Sequence, residues 1–274
     1  MHSVRTLLIA ATAAMTLTGC LSSFPPDESG ASVSQKYSFS DDFDGPAGSA
    51  IDAGKWQFDV GNRWGDNELE YYAHSTDNVA LDGQGNLAIT ARKGNPAGYQ
   101  CQYGTCEYTS GRVLTEGKFS QKYGRFEARI KIPTGQGIWP AFWLLGGNKW
   151  PDQGEIDILE NLGHTPDVLH ATIHGPGYSG AAGITKKQKT GRNLSDDFHT
   201  YALDWSPSRL VWYLDGEEYF RITKAQLKGK DWVFDHPFFI ILNVAVGGAW
   251  PGRPDESTVF PQTMLVDWVR VTEH

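Results

Sequence analysis

Gly154-Glu155-Ile156-Asp157-Ile158-Leu159-Glu160-Asn161 reads as a strand with acids on one side and isoleucines on the other. Side chains alternate along a strand, so Glu155 and Asp157 share one face and Ile156 and Ile158 the opposite one. Strict alternation would then send Glu160 into the apolar side, where an unpaired carboxylate is costly. One extra residue at Ile158-Leu159, a β-bulge, returns Glu160 to the face of the other two acids. Three carboxylates crowded on one short strand repel, and solvated strand faces usually mix Lys and Arg with their acids. The segment therefore predicts a strand of a half-exposed sheet whose outer face performs chemistry.

Outward from this strand the chain continues in the same idiom. Leu87-Ala-Ile-Thr-Ala91 alternates, and Gly124–Ile132 puts Phe126, Ala128, Ile130 and Ile132 opposite Arg125, Glu127, Arg129 and Lys131. Leu169–His174, Thr200–Trp205, Leu210–Leu214, Phe238–Val246 and Met264–Val271 repeat the pattern. Period-2 runs bounded by Gly, Pro, Asp and Asn are strands, and Leu214-Asp-Gly-Glu217 marks a tight hairpin between two of them. Only Lys224–Lys228 suggests a short helix. No repeat of 20–50 residues and no change of composition divides 37–274. The reading is all-β: a single antiparallel β-sandwich.

Composition agrees and excludes other classes. Among 274 residues, 40% are hydrophobic and 20% charged, which describes a soluble globular chain rather than a disordered one. The net charge of -8 argues against a nucleic-acid partner. Ten Trp, 11 Tyr and 13 Phe beside 31 Gly suit short strands and tight turns, and flat rings also make ligand platforms.

The N-terminus reads as an address. Residues 1–19 have the charged start and apolar run of a secretory signal, too short for a comfortable transmembrane helix. Leu17-Thr-Gly-Cys20 resembles a bacterial lipobox, which implies cleavage before Cys20 and lipidation of its thiol. Residues 20–36, with Pro25-Pro26 and little to bury, read as a tether. The expected location is the cell surface or outer membrane, or else secretion, with membrane contact only through the lipid. Cys101 and Cys106 remain as an even pair, and a disulfide closing that short loop suits an oxidising compartment.

Two carboxyl groups at close range, one ionised and one protonated, are what retaining glycoside hydrolysis requires, at a separation of about 5–5.5 Å. Their proximity separates their pKa values, and a third acid between them can share a proton. The Glu155–Glu160 segment resembles the catalytic signature of glycoside hydrolase family 16 in its bulged Glu-x-Asp-x-x-Glu form. The resemblance runs through Ser40-Asp-Asp-Phe-Asp-Gly45, Trp64-Gly-Asp-Asn-Glu-Leu-Glu-Tyr-Tyr72, Tyr123-Gly-Arg-Phe-Glu-Ala-Arg129, Gly137-Ile-Trp-Pro-Ala-Phe-Trp143 and Asn243-Val-Ala-Val-Gly-Gly248. That order of motifs is most similar to laminarinase-like bacterial endo-β-1,3-glucanases.

The resemblance implies a jelly-roll of two curved antiparallel sheets with a substrate cleft across the concave one. It makes Glu155 the nucleophile, Glu160 the general acid/base and Asp157 the residue tuning their protonation, with no cofactor for catalysis. Trp139 and Trp143, four apart in an extended run, share a face and are expected to stack on sugar rings. Asn62, Trp64, Asn67, Arg112, His174, Asn243 and Trp250 complete the expected substrate-binding set. A structural calcium on the convex sheet is implied at Gly45, Gly85 and Asp267, with Asp42 a further ligand. The chain is expected to act as a monomer on β-glucan. Mixed-linkage β-1,3-1,4-glucan and other family 16 polysaccharides are the alternative substrates. A non-catalytic lectin on the same sandwich is a remoter reading, since it has no need of both Glu155 and Glu160. No Gly-x-Ser-x-Gly elbow and no phosphate-binding glycine loop is present. His164, His170 and His174 are too irregularly spaced to suggest a metal site by themselves.

Overall fold

The computed structural model describes residues 36–62 and 65–274. The predicted signal, tether and lipidated Cys20, apart from Lys36, lie outside the described residues, as does Trp64. Among the described residues the architecture is all-β, with two large sheets and only two short 3-10 turns, Gly180–Ala182 and Lys224–Leu227. The second of these occupies the stretch read as a helix. Every alternating run named above is a strand.

The larger sheet has ten strands. Its main path runs Glu217–Thr223, Arg209–Leu214, His199–Ser206, Gly124–Lys131, Gln262–Thr272, Leu87–Lys93, Tyr108–Ser110 and Glu70–Tyr72. The pairing is antiparallel except between Glu70–Tyr72 and Tyr108–Ser110. The seven-stranded sheet runs Ile184–Lys189, Val168–His174, Glu155–Glu160, Ile138–Leu145, Phe239–Val246, Arg112–Leu114 and Gln57–Phe58. The hairpin at Asp215-Gly216 has both residues at positive φ, 50° and 85°, as a two-residue turn matching strand twist requires.

The core lies between the sheets. Phe126, Ala128, Ile130, Val266, Val269 and Trp205 meet Phe142, Leu144, Ile156, Ile158, Leu159, Ile173 and Leu242 there. The acid strand thus commits all its apolar side chains inward, and its acids face away from that core. The register shows the bulge. Phe142 pairs with Leu159 and the next residue, Trp143, with Asp157, so Ile158 has no counterpart. On the other side Asp157 faces Thr172 and Glu160 faces His170, two positions apart for three residues. Both Ile158 and Leu159 are buried, which is what the extra residue permits.

Cys101 and Cys106 form a disulfide across the hairpin of Gln100–Cys101 and Gly104–Thr105. Tyr103 in its turn donates to the Leu69 carbonyl at 2.5 Å, tying the hairpin to the segment entering Glu70–Tyr72.

Candidate active site

Strand register assembles the site. Across the seven-stranded sheet one row reads Arg112, Asn243, Ala141, Glu160, His170. The next reads Leu114, Ile241, Trp143, Asp157, Thr172, and a third reads Phe239, Leu145, Glu155, His174. Four strands therefore deliver acids, indoles, amide and imidazole to one outer face. Rigid strands hold such groups more closely than loops do.

Glu160 is held at both carboxyl oxygens. The Trp139 indole N–H donates to Oε1 at 3.1 Å and the Thr172 hydroxyl to Oε2 at 3.3 Å. Glu155 accepts from the Trp150 indole and shares a hydrogen bond with Asp157. His174 Nε2 lies 3.6 Å from Glu155 Oε1 and 3.3 Å from Asp157 Oδ2. Burial disfavours every negative charge here, so all three acids titrate high. Glu155 is pushed up to about 8 by desolvation and then by the Asp157 charge, with His174 and Trp150 opposing. Asp157 is raised to about 8 by desolvation, against its hydrogen bond with Glu155. Glu160 too is raised well above its ordinary value, by desolvation and then by both neighbouring acids. The three cannot all be ionised at neutral pH. The hydrogen bond between Glu155 and Asp157 raises the first and lowers the second, so the proton they share rests on Glu155 and is donated to Asp157, while Glu160 keeps its own.

The aromatics take distinct places. Trp139 and Trp143 are both half-buried on the acid face. The Trp143 indole donates to Asn243 Oδ1 at 2.8 Å, and Asn243 Nδ2 donates to the Tyr72 hydroxyl at 3.0 Å. Trp250, 39% exposed, meets the Trp139 ring edge-on at 5.1 Å and His170 at 4.9 Å. His170 is buried and its pKa falls to about 4 through desolvation, with Lys187 assisting, so it stays neutral. It packs the platform, while His174 joins the acids. His164 sits apart in the turn at 163–164.

Arg112 is expected against substrate, but it is only 8% exposed. Its Nε lies 2.9 Å from Asp59 Oδ2 and its guanidinium 4.9 Å from the Trp143 ring centre. These contacts hold the guanidinium beside the indole of Trp143. The loop holding Asn62 and Asn67 borders the cleft end near Trp250, because Ala249 N–H donates to the Asp66 carbonyl at 2.8 Å. Within it Asn62 is buried and Asn67 is exposed at φ 60°.

Sequence reasoning passed over four contributors: Trp150, Thr172, Tyr72 and Asp59. Trp150 is 49% exposed, centred 6.0 Å from the His174 ring. Its place just before Gly154-Glu155 was the available signal. The other three are visible only through cross-strand register.

Both aspartate side chains expected near a structural calcium are engaged by arginines. The Asp267 carboxylate is paired with Arg129, and that of Asp42 with Arg270 at 3.0 Å. Each already carries a guanidinium counter-charge, and calcium needs six to eight oxygens. The backbone oxygens expected of Gly45 and Gly85 are not affected by these pairings.

Comparison with known proteins places this geometry. Residues 67–270 match the profile of "Glycosyl hydrolases family 16". The chain is 40% identical over 272 residues to a Beta-glucanase of Rhodothermus marinus, covering 93% of this chain and 91% of that protein. Among solved structures, the catalytic domain of an endo-1,3-beta-glucanase (laminarinase) from Thermotoga petrophila superposes with a TM-score of 0.79 at 46% identity, covering 86% of this chain and 96% of that one. An endo-beta-1,3-glucanase from Pyrococcus furiosus gives 0.79 at 45% identity, covering 86% and 93%. The acid row, its bulge and these likenesses lead to one assignment: the chain belongs to glycosyl hydrolase family 16 and is a glycoside hydrolase.

Proposed function

We propose that the protein is a retaining endo-glycosidase that cuts β-1,3-glucosidic bonds in glucans of the laminarin and curdlan type. The observation that carries this reading is the bulged acid strand, with Glu155 ionisable beside His174 and Glu160 proton-bearing beneath Trp139. Glu155 attacks the anomeric carbon while Glu160 passes its proton to the leaving glycosidic oxygen. The bond from carbon to that oxygen breaks as the ester to Glu155 forms. Water, deprotonated by Glu160, then attacks the same carbon and releases Glu155, so configuration is retained. Asp157 accepts the proton it shares with Glu155 as that carboxylate attacks, which frees the nucleophile. Trp139, Trp143 and Trp250 offer apolar faces to the C–H faces of glucose, and Asn62, Asn67 and Asn243 offer amides to its hydroxyls. Trp64 belongs to the same loop in sequence.

The test is product analysis on laminarin, curdlan, lichenan and agarose in parallel, with the anomer released first read by proton NMR. Cleavage of the first two with β-anomer appearing first is expected. Inversion would overturn the mechanism. Cleavage of lichenan alone would make the substrate mixed-linkage glucan, which the Rhodothermus relative's name, Beta-glucanase, also covers.

The N-terminal sequence supports export and an anchor on Cys20, with 37–274 as the catalytic unit. The intact mass of the mature N-terminus tests it: an unmodified residue other than Cys20 would refute the anchor.

A further inference from the structure

We propose that Glu155, Asp157 and His174 together form a preassembled binding site for a borderline divalent transition ion, represented by Zn2+, and that its occupancy closes the cleft to glucan. The three donor atoms lie within 4.8 Å of one another. A tetrahedral zinc with bonds of about 2.0–2.2 Å to nitrogen and oxygen has ligand-to-ligand edges of about 3.3–3.6 Å. His174 Nε2 is 3.3 Å from Asp157 Oδ2 and 3.6 Å from Glu155 Oε1, which are such edges already.

A separate observation points to a ligand. Asp157 is 3% exposed, and its Oδ2 accepts no hydrogen bond, His174 Nε2 standing 3.3 Å away without making one. A buried carboxyl oxygen left without a partner is destabilising, and a cation at this point would satisfy it. The donor set then selects the ion. One imidazole and two carboxylates make three ligands with a fourth position open to the cleft, which suits zinc. Calcium and magnesium, which want six or more oxygens, find too few.

The imidazole is also held in place. A Cβ on Gly183 would lie 2.6 Å from His174 Cε1 and 2.9 Å from Nδ1, so only the bare backbone there leaves room for the ring. Against this, His174 Nδ1 is buried without an acceptor. Ligating histidines ordinarily donate that second N–H, and its loss costs about 10–100-fold in metal affinity. The site is therefore one of reversible inhibition. An ion bound there engages the carboxylate assigned above as nucleophile, so it competes with substrate.

The experiment titrates Zn2+ calorimetrically onto the metal-stripped, full-length protein. Saturable binding is expected, weakened about tenfold or more in His174→Ala and in Glu155→Gln, each checked for folding by circular dichroism. Co2+ on the wild type should give the intense visible bands of a tetrahedral ion, erased by a laminari-oligosaccharide. This arm needs no variant and no turnover. In wild-type laminarin hydrolysis, Zn2+ should raise the apparent KM and leave kcat unchanged. Zn2+ affinity untouched by His174→Ala, or cobalt bands indifferent to the oligosaccharide, would overturn the proposal. Zinc binding as expected in a protein that fails to cleave laminarin would overturn the proposed function and leave the metal site standing.

Discussion

The Trp212 indole N–H, on the ten-stranded sheet, donates at 2.8 Å to the main-chain carbonyl of Asp157 on the seven-stranded sheet. The bulge interrupts the ladder at this point, and a buried backbone acceptor without a partner is costly. A side chain from across the core makes good the loss. The Tyr219 hydroxyl approaches the next carbonyl, that of Ile158, at 3.4 Å. The bulge that turns Glu160 toward Glu155 is thus pinned from behind.

Trp212→Phe keeps most of the ring and deletes the donor. A loss of about 1–3 kcal/mol is expected for the orphaned carbonyl, or several degrees in Tm. If the hydrogen bond positions the acids, kcat falls about tenfold with KM little changed, and the pH profile of kcat shifts. A lower Tm with an unmoved pH profile would restrict Trp212 to packing.

Glu155→Ala and Glu160→Ala should each lower kcat by about a thousandfold or more in folded protein. Added azide separates their roles. It should yield the α-glycosyl azide with Glu155→Ala, by single displacement, and the β-glycosyl azide with Glu160→Ala. The same azide anomer from both variants would refute the assignment.

Trp139→Phe removes a hydrogen bond that favours ionised Glu160. The Glu160 pKa should rise and the alkaline limb of the kcat profile move to higher pH. Trp143→Phe orphans Asn243 Oδ1 instead and should raise KM several-fold with a smaller effect on kcat. Steady-state kinetics across pH distinguishes the two.

Asp157→Asn tests the electrostatic cost of the site. A carboxyl raised from 3.8 to about 8 binds its proton more tightly in the folded chain than in the unfolded one. Its stabilising effect is complete below the unfolded value and is lost as pH rises through about 8. The amide has no such loss. The variant's Tm should therefore gain on the wild type between pH 5 and 9, while kcat falls. A constant Tm difference across that range would contradict the raised pKa.

His170→Gln has the opposite sign. A histidine depressed from 6.5 to about 4 contributes stability above the unfolded value, lost as pH falls through about 4. The wild type should lose Tm relative to His170→Gln over that interval. Because His170 supports Trp250, tryptophan fluorescence should change over the same interval in the wild type alone.

Period-2 alternation alone placed the strands, because the pleat sends successive side chains to opposite faces whatever the partner strand. The charge on Glu160 was enough to require a bulge at Ile158-Leu159, since a core cannot hold an unpaired carboxylate cheaply. Trp139 and Trp143 shared a face for the same local reason. Sequence could not show that His174 would stand against Glu155 and Asp157, that Arg112 would pair with Asp59 beside Trp143, or that Asp42 and Asp267 would pair with arginines. Those outcomes depend on which strands become neighbours and in what register, and on which side chain crosses from the other sheet. Alternation along one strand carries no information about either. The acids and their spacing were written in the chain; their shared proton, their buried pKa values and the indole that pins their bulge came only with the packing of two sheets.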